Sequence, residues 1–213
     1  MPLPLKIALI MAALVLGAAA YLFAQTAPPA LDVVRFNASI TDEQNKDIAS
    51  ALREMSVLYD AAPDNYLVNV RLGWLEYLNG AYTESVQYYR RAFDLSGQQS
   101  VEALLGLRLP LAAQNDWKSV ESVYRQILQL DGGNYEANLR LGQIYLNRGD
   151  HSRAKPYLEN VAQHYPADYE ANLSSAWNDY SLNDYPRSRA EFQTVLMLSP
   201  GDTSATRGLQ LLK

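Results

Sequence analysis

The sequence contains no cysteine, only two histidines and four phenylalanines, and its charged fraction is 19%. Without cysteine there is no disulfide, no thiolate metal site, no thiol nucleophile and no lipid attachment through an N-terminal cysteine. His151 and His164 would lie about 20 Å apart on one helix, too far to share a metal, and both read as solvated surface groups. A surplus of positive charge is missing as well. Eighteen basic residues against 23 acidic ones leave a formal charge of −5, so the field that draws proteins to phosphate backbones is absent and nucleic acid is not an expected partner. No GxSxG arrangement, phosphate loop or placeable carboxylate pair occurs, so no catalytic residue, cofactor, metal or small-molecule substrate is expected. Tyrosine is what the chain has in excess, with 15 among 213 residues.

One long apolar run is present, from Ile7 to Phe23, preceded by Lys6 and followed by no charge until Asp32. As a helix it would span about 25 Å, a little less than the roughly 30 Å hydrocarbon core of a bilayer. It reads as a membrane anchor (residues 1–25) or as a cleaved secretory signal, with Ala18-Ala19-Ala20 or the stretch ending at Ala24 supplying the small residues of a cleavage site. In both cases Lys6 stays cytoplasmic and everything after residue 25 is exported. Residues 26–40, with Pro28-Pro29, read as an extended linker. Thr41-Asp42-Glu43-Gln44 then reads as a capping box that opens a single helix over 41–63, with Ile48, Ala51, Leu52, Met55 and Leu58 on one side.

From there the chain keeps time. Pro63, Gly97, Gly132, Pro166 and Pro200 stand 34, 35, 34 and 34 residues apart, each in a polar turn. Gly80, Asn115, Gly149 and Asn183 keep the same period and are residues that tolerate the left-handed conformation ending a helix. Asp116, Asp150 and Asp184 come next, placed to accept from the free N–H groups of a new helix. Between these marks apolar residues fall at spacings of three and four, as in Leu141, Ile144, Tyr145 and in Ala154, Leu158, Val161. The unit is helix, tight turn, helix, longer turn, repeated over 66–99, 101–133, 135–167 and 169–200, with a last helix over 203–213.

In period, turn chemistry and small-residue slots the chain resembles the tetratricopeptide repeat family, best in Leu141-Gly142, Tyr145, Gly149-Asp150, Ala154, Leu158 and Pro166. The resemblance implies an all-α, right-handed superhelical solenoid of about four repeats with flanking capping helices, in addition to the N-terminal transmembrane or signal helix. Arg108 departs from the pattern, holding a slot the family gives to glycine or alanine. If Gly106 filled that slot, the helix would shift by two residues, and Pro110 and Pro156 predict kinks or early helix ends.

Family members bind partners in a concave groove lined by first helices. The slots there hold Val70, Trp74 and Tyr77; Leu105, Leu109 and Ala112; Glu136, Arg140, Gln143, Leu146 and Asn147; and Leu173, Trp177 and Tyr180. The alternative for Trp74 and Trp177 is packing between neighbouring helices. Of the slots that form a lysine and asparagine clamp for a C-terminal carboxylate in one family variant, only Arg140 fits, so no clamp is expected. Asn69, Asn138 and Asn172 recur in the motifs NYLVN, NYEAN and DYEAN, either bonding within the stack or lining its inner wall. The resemblance and the apolar leader together imply a non-catalytic scaffold at the bacterial inner membrane, its C-terminal part periplasmic, or wholly periplasmic if the leader is cleaved. Its partners would be proteins of an envelope or membrane complex, with residues 7–23 meeting lipid. A permanent structural subunit and a soluble periplasmic peptide-binding protein are the alternatives.

Overall fold

A computed structural model describes residues 30–213. Among these are eleven helices and no strand: α1 Leu31–Gln44, α2 Ile48–Ala61, α3 Tyr66–Leu78, α4 Tyr82–Leu95, α5 Val101–Ala113, α6 Trp117–Leu130, α7 Tyr135–Asn147, α8 His151–His164, α9 Tyr169–Ser181, α10 Tyr185–Leu198 and α11 Thr203–Leu211. The apolar run 7–23 lies outside the described residues, and no described helix is long and apolar enough to cross a membrane. The described residues divide into two compact units, the first ending at Leu58 and the second running from Tyr59 to Lys213.

The first unit corrects the reading of 26–63. Where the sequence predicts an extended linker over 26–40 followed by one helix over 41–63, the described residues 31–61 form α1 and then α2, with Arg35 donating to Glu54 at 2.7 Å. Thr41 does not open a helix; its hydroxyl donates to the Asn37 carbonyl in the last turns of α1. The turn is made by Lys46 at φ 64°, and Asp47 caps α2 by accepting from the Ser50 N–H at 2.9 Å. The capping-box pattern misled because the same residue types also end helices. Leu31, Val33 and Val34 are exposed, so α1 carries no clean apolar stripe by which a sequence would reveal it.

In the second unit four helix pairs follow, each a first helix of 13 residues and a second of 14. Tight turns pass through Gly80, Asn115, Gly149 and Asn183 at φ 80°, 60°, 75° and 62°. Asp116, Asp150 and Asp184 cap α6, α8 and α10, whereas Ala81 ahead of α4 has no side chain that can do so. The helix of repeat two is not shifted. Arg108 keeps the slot held elsewhere by the buried Gly73, Gly142 and Ala176, and α5 and α8 run unbroken past Pro110 and Pro156.

Gly106 serves another neighbour. A Cβ there would lie 2.1 Å from the ring of Tyr89, which on its other side meets Gly73, where a Cβ would lie 2.9 Å away. Two glycines thus hold one buried tyrosine between α3 and α5. Gly142 against Leu158 and Gly208 against Phe192 repeat the device. Leu209 and Leu212 help cover the cluster around Phe192, while Leu211 is exposed rather than covering the edge.

The recurrent asparagines are buried and close the longer turns. Asn69, Asn138 and Asn172 donate to the carbonyls of Pro63, Gly132 and Pro166 at 2.8, 3.0 and 3.0 Å, satisfying backbone groups that would otherwise face a helix end. Much of the tyrosine excess has an equally concrete use. Tyr66, Tyr135 and Tyr169 open first helices and reach the residue capping the next first helix: Ser100 at 2.7 Å, Asp168 at 2.7 Å and Asp202 at 2.7 Å. Val101 holds the equivalent position in repeat two and has no hydroxyl to offer. The bond to Asp168 and burial together push the Tyr135 hydroxyl up to about 12. Tyr135→Phe should lower unfolding free energy by about 1 kcal/mol, read by urea denaturation, because Asp168 retains its capping bond and loses one charge-assisted donor; an unchanged midpoint would remove the tie from the account.

Candidate functional site: the inner wall of first helices

The first helices of the second unit form one wall. Here α3 packs on α5, α7 on α9 and α9 on α11, while α5 and α7 make no comparably close approach. Side chains bridge along that wall. Arg108 pairs with Glu136 at 2.8 Å, and Arg140 pairs with Glu170 at 2.8 Å and donates to Gln143 at 2.8 Å. Gln143 reaches Ser174 at 3.3 Å.

The residues expected from the sequence fall into four groups on this wall. Trp74 and Tyr77 lie together with ring centroids 5.7 Å apart, Tyr77 continuing to Tyr82 at 5.9 Å, and both expected residues are half-buried. Leu105 and Leu109 are also half-buried, with Leu105 packed on the core. Arg140, Gln143 and Asn147 gather around one pocket, with Glu136 tied to its edge through Arg108. Trp177 and Tyr180 form the last group at 5.8 Å. The Trp177 indole N–H donates to Ser204 of α11 at 2.9 Å, and its ring stands edge-to-face on Phe192 at 4.9 Å. That ring is therefore engaged in helix packing, as the alternative held, while remaining partly open to solvent.

Five residues of the central pocket were missed by sequence reasoning: Arg108, Trp117, Val120, Tyr124 and Ile144. The pocket has a volume of about 210 Å³. Trp117, the first residue of α6, is 51% exposed at this pocket, whereas Tyr124 is buried, which raises its hydroxyl above the usual range. Arg108 carried the available signal, since a long charged side chain in a slot for glycine must extend out of the helix contact. Trp117 carried none, because its repeat position is compatible with packing.

A second electrostatic centre lies between α8, α9 and α10. Asp179 is buried in the slot that holds Tyr145 in repeat three, with Arg187 Nε at 3.2 Å and Lys155 Nζ at 3.6 Å, yet neither carboxylate oxygen has a hydrogen-bond partner of good geometry. Glu191 accepts from the Ser175 hydroxyl at 2.7 Å, and its other oxygen is buried without a partner. Burial, with the negative charge of Asp179 added, pushes Glu191 up to about 7 against the opposing effects of Ser175 and Arg187; burial also raises Asp179. Glu159 and Asp184 complete the set of charges facing this cluster.

A tetratricopeptide repeat profile matches residues 41–100 and 139–203, more than half of the chain, and a second profile of the same description matches 111–155. The chain belongs to the tetratricopeptide repeat family, whose members are generally non-catalytic interaction modules. Among curated proteins it is similar to Protein CTR9 homolog of Arabidopsis thaliana, 26% identical over 117 residues, which are 55% of this chain and 11% of that protein. The chain thus spans about a tenth of that relative. Among solved structures it resembles a tetratricopeptide repeat protein from Parabacteroides merdae (TM-score 0.70, 17% identity, 85% of this chain and 72% of that one). MamA is similar at TM-score 0.67 and 17% identity, over 78% of this chain and 91% of MamA. YrrB, a repeat protein with an unusual peptide-binding site, is similar at TM-score 0.66 and 12% identity, over 90% and 97%. At these identities the likeness establishes the fold.

Proposed function

We propose that the chain is a non-catalytic protein–protein interaction scaffold of the bacterial cell envelope, which holds a segment of a partner protein against the wall of first helices while an envelope complex assembles. The observation that carries this reading is the run of half-buried aromatic and polar side chains from Trp74 and Tyr77 through Arg140 and Gln143 to Tyr180. Rings and guanidiniums of this kind bury much area at modest entropic cost and keep hydrogen-bonding edges, which favours them as interface anchors. The peptide-binding site of YrrB, on a similar fold, supports the same reading. Residues 7–23 tether the domain to the inner membrane, with the repeats in the periplasm. Sequencing the N terminus of the mature protein tests that placement: an intact leader agrees with the anchor, a start near residue 25 makes the protein soluble and periplasmic, and a chain recovered from cytosol overturns both.

For the groove, Trp74→Ala combined with Tyr77→Ala should reduce capture of native partners by about tenfold or more in crosslinked pull-downs, given that single buried aromatic anchors contribute about 2 kcal/mol or more. Circular dichroism on the same samples checks the helices. Undiminished capture by a folded variant removes the groove from this account.

A second reading, a permanent subunit of a membrane complex, is favoured by Met197, Leu198 and Leu211, apolar and 74%, 40% and 52% exposed on the last two helices. It requires stoichiometric co-purification after detergent extraction, whereas an assembly factor is substoichiometric.

A further inference from the structure

The wall of first helices is interrupted once, and the interruption is furnished. Between α5 and α7, where the neighbouring first helices do not close on one another, the pocket is lined by Arg108 of α5, Trp117 and Tyr124 of α6, and Arg140, Gln143 and Asn147 of α7. We propose that this pocket selects the bound segment by taking an acidic side chain, with an adjoining apolar side chain of the same segment lying on Trp117. The proposal rests on the groove reading and specifies its chemistry.

Donors exceed acceptors in the pocket. Each guanidinium offers five N–H groups, and Arg108 and Arg140 each pair with one carboxylate, Glu136 and Glu170. Arg108 Nε is buried with no hydrogen-bond partner. Among the described residues lining the pocket there is no carboxylate. An entering carboxylate would complete a pattern that the protein leaves open, and guanidinium is the cation best matched to it, being planar, weakly hydrated and able to bind in bidentate fashion.

Size points to a side chain rather than to a free metabolite. About 210 Å³ falls below the roughly 300–1,000 Å³ of sites that enclose small ligands. One or two residues of a longer segment fit such a volume, the rest of the segment running along the wall. Trp117 at 51% exposure supplies a large ring beside the charged centre, a pairing of residue types that recurs where a few residues dominate binding. Arg108 stands in the slot where Gly73 admits Tyr89 of α4 and Gly142 admits Leu158 of α8, and the residue that faces it from α6 at the matching position is Tyr124.

The test is a selection of random 12-residue displayed peptides on the full-length chain in detergent micelles, followed by fluorescence anisotropy of the selected peptides. Recovered sequences should carry Asp or Glu beside an apolar residue. Replacing that acid by its amide, or making Arg108→Met or Trp117→Ala in the protein, should weaken binding by about tenfold, the loss of one charge-assisted contact or one aromatic anchor. Binding that ignores the peptide's acid and both protein variants, yet falls with Trp74→Ala and Tyr77→Ala, overturns the pocket while the groove reading stands. Enrichment of basic or uncharged peptides also overturns it. If the wild-type chain enriches no peptide at all, the groove reading fails and the pocket with it. Trp117 is half exposed, so Trp117→Ala should fold, and its dichroism spectrum verifies that.

Discussion

Gly106→Val should cost about 3 kcal/mol of unfolding free energy, seen as a large fall in the urea midpoint with helical content retained below the transition. Its Cβ would lie 2.1 Å from a rigid ring that cannot retreat, because Gly73 already receives the opposite edge of Tyr89. Overpacking of this kind costs about 1–3 kcal/mol, and a β-branched side chain recovers less of the helix propensity lost at glycine than alanine would. Tyr89→Leu added to the same chain should restore part of the loss, since the two positions are in contact and their effects are not additive. Gly133→Ala is the control: its added methyl would meet nothing closer than Asp131 at 3.6 Å, and a small effect is expected. Equal losses at 106 and 133 would show that the Tyr89 seat is not what makes position 106 special.

Glu191→Gln should raise stability above pH 7 by about 2 kcal/mol and flatten its pH dependence. In the native protein the group holds its proton up to about 7, whereas in the unfolded chain it ionises near 4.5. Its contribution is therefore fully present below pH 4.5, declines as pH rises between those values and has been lost above 7. A shift of that size corresponds to about 3 kcal/mol, reduced here for residual solvent access. The glutamine is permanently neutral and can still accept from Ser175. Thermal unfolding from pH 4 to 9 provides the check. A wild-type curve flat from pH 5 to 8, or a variant that follows the wild type throughout, contradicts the environment assigned to Glu191 among Asp179, Arg187, Lys155, Glu159 and Asp184.

Legibility followed physical uniqueness. Gly80, Asn115, Gly149 and Asn183 were readable because few residue types tolerate positive φ, and Asp116, Asp150 and Asp184 because a short carboxylate after such a turn has a specific use. Thr41 to Gln44 was misread because its composition suits either end of a helix, and α1 lacks the apolar stripe that would have decided between them. Asn69 and Tyr135 were visible as recurrent letters, but their bonds join residues brought together by the turn or by the next repeat. The same limit governed the site. Each first-helix position could be placed on the wall, whereas the pocket required the separation of α5 from α7 and the entry of Trp117 from a second helix. Whether Trp177 faced the groove or its neighbours also depended on Ser204 and Phe192, far from it in sequence.

The valine at position 101 gives the stack an uneven grammar. A linear array of repeats is as cooperative as its weakest nearest-neighbour coupling, and the hydroxyl that joins the other repeats to the next is missing where repeat two meets repeat three. The boundary is held by other means: one hydrophobic core runs across it from Leu104 and Leu111 to Leu139 and Leu141, Arg108 pairs with Glu136, and Glu121 of repeat two accepts from Tyr145 and Arg148 of repeat three. A guest seated between Arg108 and Arg140 would cross the same boundary, adding a contact beside the core and the Glu121 bonds that already join the two repeats.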